Sequence, residues 1–219
     1  DVQAAMTEPF AVGEHAVAQS AAGPDAVCLV IGCGPVGLAV IAALKSRGLG
    51  PVIASDFSPA RRAVAEKLGA DIIVDPAQIL PHSHWSAAGV ATTTAERMLQ
   101  SLSGKTGKRA VIFECVGVPG VLQGIIEAAP GGAQIIVAGV CMDTDRFEPF
   151  LCINKQLDFR FVLGYSPEEF AATLHNIAHG HIDVLPAVTS EVGLAGVAAA
   201  FKALADPEAQ CKIAVRPGA

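Results

Sequence analysis

One stretch, Val-Cys-Leu-Val-Ile-Gly-Cys-Gly-Pro-Val-Gly over residues 27–37, narrows the choice of fold more than any other part of this chain. Residues 27–31 form a continuous apolar run of strand-forming side chains. That is the pattern of a strand buried on both faces, which belongs in a parallel sheet covered by helices. The run breaks at Gly32. From Val36 onward, apolar and small residues continue without a breaker to Lys45, Arg47 and Gly48, a basic, glycine-terminated helix end. Strand, Gly32-x-Gly34-x-x-Gly37 and helix together make a dinucleotide-binding turn. Gly32 permits the tight turn, Gly34 lets backbone approach a pyrophosphate, and Gly37 lets the helix lie close to its strand, so an anion can rest on unpaired N–H groups at the helix start. Three glycines alone are a weak signal. The next strand-like run, Val52-Ile53-Ala54-Ser55, strengthens it by leading into Asp56, 24 positions beyond Gly32, where an acid can bind the adenosine ribose. The same acid opposes the 2′-phosphate of NADP, by roughly 1 kcal/mol at about 4 Å in water and about 4 kcal/mol at an effective dielectric near 20. NAD is therefore the expected cofactor.

The rest of the chain supplies the sheet this turn requires. Ser58 followed by Pro59 predicts an N-cap and first helical residue, with Arg61 to Leu68 helical and a stop at Gly69. A third strand over 71–76 completes β-α-β-α-β. Residues 77–91 dissolve into Pro, His, Ser and Gly around the only tryptophan, Trp85, and read as a surface loop. A helix over 93–102 and the run Ser103-Gly104-Lys105-Thr106-Gly107 lead to a fourth strand over 110–114. A helix over 119–128, a turn at 130–132, a fifth strand over 133–140, an irregular acidic stretch and a sixth strand over 159–164 follow. Alternating strands and helices in this number predict an α/β domain with a doubly wound six-stranded parallel sheet, a Rossmann domain, over residues 21–165.

The flanks have another character. Residues 1–20 are an Ala-rich helical run, and residues 166–219 hold a capping box at Ser166-Pro167-Glu168-Glu169, a loop after Val184-Leu185, a helix over 194–204 and a last strand over 212–215. Neither is long enough for a second core. They are expected to be pieces of an incomplete catalytic domain, the first with a connecting helix and the second the return of the chain, and Asp1 in place of an initiator Met agrees with a fragment.

Charge and cysteine usage exclude several classes. A net charge of −6, with no basic run longer than two residues, leaves no footprint for nucleic acid or an anionic membrane. No apolar stretch approaches the roughly 18 residues of a membrane span, and no basic-then-apolar leader opens the chain, so the expected location is cytoplasmic. The six cysteines stand singly with no Cys-x-x-Cys, as reduced thiols used like small apolar residues would.

Taken in order, Glu8-Pro9-x-Ala11-Val12-Gly13-x-His15-Ala16, the glycine turn with Pro35-Val36, Asp56 with Arg61-Arg62, Leu68-Gly69-Ala70-Asp71, Glu114-Cys115-Val116-Gly117, Gly131-Gly132, Ala138-Gly139 and Lys212-Ile213-Ala214-Val215 resemble the C-terminal two-thirds of the zinc-containing medium-chain alcohol dehydrogenases, most of all the polyol and threonine dehydrogenase branch. The likeness covers nearly the whole chain except 77–91. It implies NAD-dependent oxidation of a secondary alcohol or polyol by hydride transfer, with a catalytic zinc polarising the alcohol oxygen. It also implies that the Cys and His zinc ligands belong to a preceding domain, with Glu8 the one position here near that zinc, so that the chain binds cofactor without turning over alone.

The resemblance assigns cofactor contacts residue by residue. Gly32, Gly34, Pro35, Val36 and Gly37 match the pyrophosphate turn, Asp56 the ribose acid, and Arg61 the basic residue beside that ribose. Cys115, Val116 and Gly117 match the turn beside adenine and the nicotinamide ribose, Gly139 and Val140 the nicotinamide edge, Val162 and Leu163 the backbone beside the carboxamide, and Lys212 a basic group near the phosphates. Only one of Arg61 and Arg62 can face the ribose, which leaves Arg62 to a solvated first helical turn.

Other features carry less. His175 and His179 are four apart, with His181 beyond, but lack the Glu of a zincin motif and suit a helix C-terminus. His82 and His84 flank Ser83 in the loop, and His15 is expected to pack on the first helix or face the cleft. Two rivals share the Rossmann reading: a zinc-free quinone oxidoreductase-like reductase, and a non-catalytic NAD-binding regulatory module. The apolar sixth strand at the sheet edge predicts a homodimer or homotetramer.

Overall fold

The computed structural model describes residues 1–104, 107–206 and 208–218; Lys105 and Thr106 of the connection before the fourth strand lie outside them. Two helices open the chain, α1 (Val2–Ala5) and α2 (Thr7–Ala18), and α2 buries Phe10, Ala16 and Val17. Then come β1 (Ala26–Ile31), α3 (Pro35–Ser46), β2 (Val52–Ser55), α4 (Pro59–Lys67) and β3 (Ile72–Val74). The second half is α5 (Thr94–Leu102), β4 (Arg109–Glu114), α6 (Val121–Ala128), β5 (Gln134–Val137), α7 (Pro149–Lys155) and β6 (Asp158–Phe161). The tail holds α8 (Pro167–Ala178), β7 (Val188–Val192), α9 (Val197–Ala203) and β8 (Lys212–Val215).

β1 to β6 form one sheet in the order β3-β2-β1-β4-β5-β6, every neighbouring pair parallel. The expected doubly wound sheet is thus present, and its order reverses between β1 and β4. Register brings the strand ends into line: Ile31 pairs with Ser55 and Glu114, Glu114 with Val137, and Val137 with Phe161. Gly32, Asp56, Cys115, Ala138 and Val162 therefore follow one another along a single edge. The central strands are buried on both faces because they divide two cores. Cys28, Val30, Val111 and Phe113 pack in one with Leu38 and Ile41 of α3, while Val27, Leu29, Ala110 and Ile112 pack in the other with Leu122, Ile125 and Ile126 of α6. A six-residue run with no polar side chain is what such a position demands.

The flanks dock on the first core. α2 packs along α3 and α8, Arg47 pairs with the buried Glu14, and His15 Nδ1 lies 2.9 Å from Glu169 Oε2, tying α2 to the capping box that starts α8. His15 thus joins two helices. β7 and β8 make a separate two-stranded parallel sheet.

Four readings need correction. The acidic stretch before β6 contains α7, started by Pro149 at its first turn; seven residues with both cores already supplied leave no periodic signal. β7 stands where a loop was expected, because its polar alternation becomes a strand only against β8. The fifth strand stops at Val137, since the N–H groups of Ala138 and Gly139 both turn to Glu114 O at 2.9 Å. Segment 77–91 is more than a surface loop: a 3₁₀ turn (Pro81–His84) leads into Trp85, which is 1 % exposed and sits in the second core. Trp85→Ala is expected to lower stability by about 3–5 kcal/mol, a fall in Tm of roughly 10 °C in thermal denaturation. A loss below about 1 kcal/mol would mean that the loop is not anchored there.

Candidate crevice at the carboxyl ends of the strands

The glycine turn is built by close approach. Gly32 has φ +90°, and a Cβ on Gly37 would lie inside the van der Waals shell of Gly32 O, which holds α3 against the end of β1. No side chain caps α3, so the N–H groups of its first turn, to which Pro35 contributes none, have no side-chain partner. In front of Gly34 the space is open; the nearest atom to a Cβ built there is Arg61 Nη1 at 3.9 Å. Arg61 Nε is buried with no hydrogen-bond partner. A bare helix start, an open glycine and a guanidinium with a donor to spare are what a bound diphosphate would satisfy.

Asp56 faces this turn. Its Oδ2 accepts from Cys33 N at 2.7 Å and lies 4.0 Å from Arg61 Nη1, and its Oδ1 accepts from Ser58 N at 2.8 Å. Each carboxylate oxygen keeps a second lone pair, so the acid can also accept from a ribose hydroxyl. Arg62 departs from expectation. It is no solvated cation: Nη1 donates to Asp56 O and Phe57 O, each at 2.7 Å, and Nη2 pairs with Asp75 at 3.1 Å, bracing the ends of β2 and β3. Arg61 alone is left for a ligand.

Across the switch point, Glu114 ends β4 and is 3 % exposed. Its Oε1 accepts from Val116 N at 2.7 Å and Gly117 N at 2.8 Å. A Cβ on Gly117 would come within 2.6 Å of Val140 N, so the turns after β4 and β5 lie in contact. Glu114→Ala would remove charge-assisted bonds to two N–H groups and is expected to cost about 2–3 kcal/mol of stability. Glu114→Gln, which keeps an acceptor, should lose about half as much, and equal Tm values for the two would refute this role.

Two cavities open along this edge and share Val118. The larger, about 670 Å³, runs from Gly32 past Asp56, Ser58 and Arg61 to Val116, to Leu80, Pro81 and His82 of the loop, and to α6. The other, about 340 Å³, lies between Gly117, Gly139, Val140 and Phe161. Phe57 beside the larger one is 74 % exposed, an apolar wall without a partner. A third cavity, about 510 Å³ and lined by Arg97, Lys108 and Arg109, lies at the opposite ends of the strands. Ligands of open parallel sheets bind at the carboxyl ends, so the first two define the candidate site.

Of the residues singled out in the sequence, Gly32, Asp56, Arg61 and Val116 border the larger cavity and Gly117, Gly139 and Val140 the smaller. Pro35 and Val36 open α3 behind the turn. Val162 packs on the first core and Leu163 is exposed just past β6. Lys212 opens β8 and borders neither cavity, although the neighbouring Cys211 thiol feels the charges of Arg61 and Asp56. Glu8 lies exposed in the first turn of α2 and borders neither cavity. Phe57, Val118, Leu80, Pro81 and Glu208 line the site without having been picked out, and His82, noted in the sequence only as one of two loop histidines, lines it as well. Phe57 follows Asp56 directly and could have been found; the others arrive through packing.

The thiols nearest the turn are held protonated. Burial pushes Cys33 and Cys115 well above the ordinary thiol range and Cys28 up to about 12, and all six cysteines are free. The rings of His175 and His179 lie 4.0 Å apart on exposed surface. Among the described residues no three His, Cys, Asp or Glu side chains come together as a metal site, and no helix is long and apolar enough to cross a membrane.

Comparison with known proteins adds independent findings. A family profile described as zinc-binding dehydrogenase matches residues 35–179. The (R,R)-butanediol dehydrogenase of Bacillus subtilis is 32 % identical over 216 residues, 98 % of this chain and 58 % of that protein. Sorbitol dehydrogenase of the same organism is 27 % identical over 194 residues, 88 % of this chain and 50 % of that one. The crystal structure of 2R,3R-butanediol dehydrogenase from B. subtilis superposes with a TM-score of 0.73 at 29 % identity, over 97 % of this chain and 57 % of that one. The chain thus spans about half the length of the relatives it matches.

Proposed function

The chain belongs to the zinc-binding dehydrogenase family, and from that premise we propose that it is the coenzyme-binding portion of an NAD-dependent dehydrogenase oxidising a secondary alcohol or polyol. The observation that carries the reading is the turn itself: an α3 start without a side-chain cap, open space before Gly34 and the unpartnered Arg61 Nε, beside an Asp56 that accepts from Cys33 N within the turn. In this proposal Gly32, Gly34, Pro35, Val36 and Gly37 hold the diphosphate with Arg61, and Lys212 adds positive charge from the tail. Asp56 binds the adenosine ribose. Cys115, Val116, Gly117, Gly139, Val140, Val162 and Leu163 border the nicotinamide half. NAD, when bound, supplies the hydride acceptor. The protein residues orient it and, through the buried strand ends, keep water from its inner side. The butanediol and sorbitol activities named for the relatives support the substrate class.

A zinc site does not assemble from the described residues of this chain. In the intact enzyme we assign Glu8 alone to its neighbourhood. We further place the protein in the cytoplasm, in keeping with its free thiols, as a homodimer or homotetramer through β6. Phe161 of β6, Leu163 just beyond it, and Phe150 and Ile153 of the preceding α7 are each more than 60 % exposed, apolar surface at the sheet edge that favours pairing with a second copy. Light scattering at high concentration should find dimers or larger, and a clean monomer would count against that interface.

Titration of the chain with NADH, followed by fluorescence, tests the central claim. Saturable binding that is weakened by Arg61→Ala supports it, whereas no binding at millimolar NADH refutes it. With NAD and butanediol or sorbitol, the 219-residue chain alone is expected to show no turnover; zinc-dependent NADH formation would overturn the assignment of the zinc ligands to another part of the protein.

A further inference from the structure

The segment over 77–91 holds none of the motif residues on which the sequence resemblance rests, and yet its Leu80, Pro81 and His82 form one wall of the larger cavity. Trp85, held in the second core, fixes where the preceding turn can go, so that Leu80, Pro81 and His82 line the crevice opposite Asp56 and Arg61. Trp85 Nε1 lies 3.3 Å from His82 Nδ1. An indole nitrogen can only donate, so His82 Nδ1 must accept, and a neutral imidazole then carries its proton on Nε2. Burial, reinforced by the positive Lys155, holds His82 down at about 4, so the ring is neutral near pH 7. Among the described residues no hydrogen bond is made by Nε2. The crevice therefore presents one oriented N–H donor beside three exposed apolar side chains, Phe57, Val116 and Val118.

That combination suits a flat, largely apolar heterocycle carrying an acceptor nitrogen on its edge. Asp56 lies along the same cavity at the position of the adenosine ribose, so the ring attached to that ribose falls between Asp56 and the loop. We propose that His82 is a specificity residue for the cofactor's adenine, donating a hydrogen bond from Nε2–H to a ring nitrogen of the base. The proposal rests on the reading of this crevice as the dinucleotide site. It gives segment 77–91 a function: Trp85 is the anchor, and His82 is the group it aims.

The test uses the chain as it stands with ADP-ribose, which carries the adenosine diphosphate half without nicotinamide. Calorimetric titration of wild type, His82→Gln and His82→Phe is paired with thermal denaturation of each. His82→Gln keeps an acceptor for Trp85 and a donor for the base and should bind within about threefold of wild type. His82→Phe keeps a ring without the donor and should bind about three- to tenfold more weakly. Equal affinity of wild type and His82→Phe would overturn the proposal, as would equal losses in both variants, which would mean that only ring packing matters. Should His82→Phe fail to fold, the ¹⁵N resonances of wild-type His82 decide. Saturating ADP-ribose should shift the protonated Nε2 signal and leave Nδ1 unprotonated; an unmoved Nε2 signal would refute the hydrogen bond. A wild-type chain that binds no ADP-ribose would sink the dinucleotide site itself, and this proposal with it.

Discussion

Gly37→Ala is expected to abolish useful cofactor binding, with at least a hundredfold rise in the Kd for NADH, and to lower stability by about 3 kcal/mol or more. A methyl group at this position would occupy the space of Gly32 O. Neither partner is a side chain that could swing aside. Relief requires moving α3 away from the end of β1, against a core in which Leu38, Ala39, Val40 and Ile41 are all fully buried. Overpacking of a core already costs typically 1–3 kcal/mol where side chains can adjust, and here only backbone can. The displacement also withdraws the N–H groups on which a diphosphate would rest, so affinity falls along with stability. Gly23→Ala is the control: a Cβ there meets nothing within 4 Å, and a change within about 0.5 kcal/mol is expected. NADH titration with chemical denaturation separates the two effects, and a Gly37→Ala protein that binds NADH like wild type would show that the turn does not hold the cofactor.

The second large effect concerns which dinucleotide is bound. Asp56→Ser should narrow the preference for NADH over NADPH by on the order of tenfold to a thousandfold. The estimate follows from removing about 1 to 4 kcal/mol of repulsion between a carboxylate and a 2′-phosphate roughly 4 Å away. The structure sharpens this expectation. Arg62, which could have offset the repulsion, is committed to Asp56 O, Phe57 O and Asp75, so Arg61 is the cation left to meet a phosphate. Part of the change should appear as weaker NADH binding, because the serine lacks the two oxygens that accept from Cys33 N and Ser58 N. Paired titrations of wild type and variant with NADH and NADPH check both parts. A wild-type protein that binds the two equally would remove Asp56 as the discriminating group.

Both predictions rest on residues whose roles are local in sequence. Gly32, Gly34 and Gly37 lie within six positions, and Asp56 follows the next strand, so spacing alone carried them to the site. The same holds for the Ser58-Pro59 helix start and the Ser166 capping box, where Ser58 Oγ accepts from Arg61 N and Ser166 Oγ from Glu169 N. Where several partners compete, spacing failed. Arg61 and Arg62 are neighbours with the same charge, and only the placement of Asp75 and two carbonyls decides which of them is taken. Glu114 was visible as one letter of a motif, yet its work of tying the turns after β4 and β5 depends on strands 20 residues apart meeting in register.

What this sequence determines by itself is therefore the doubly wound sheet, its glycine turn and the acid opposite, because buried-strand runs, helix caps and glycine spacing are properties of neighbouring residues. Only the tertiary structure decides the shape of the crevice. Trp85, which in sequence is the centre of a polar loop, enters a core whose other walls include β1, β4 and α6; His82, Leu80 and Pro81 follow it to the site. Likewise β7 exists only because β8 lies beside it. Burial and pairing between distant segments are free energies of the assembled chain, and no local pattern of residues carries them.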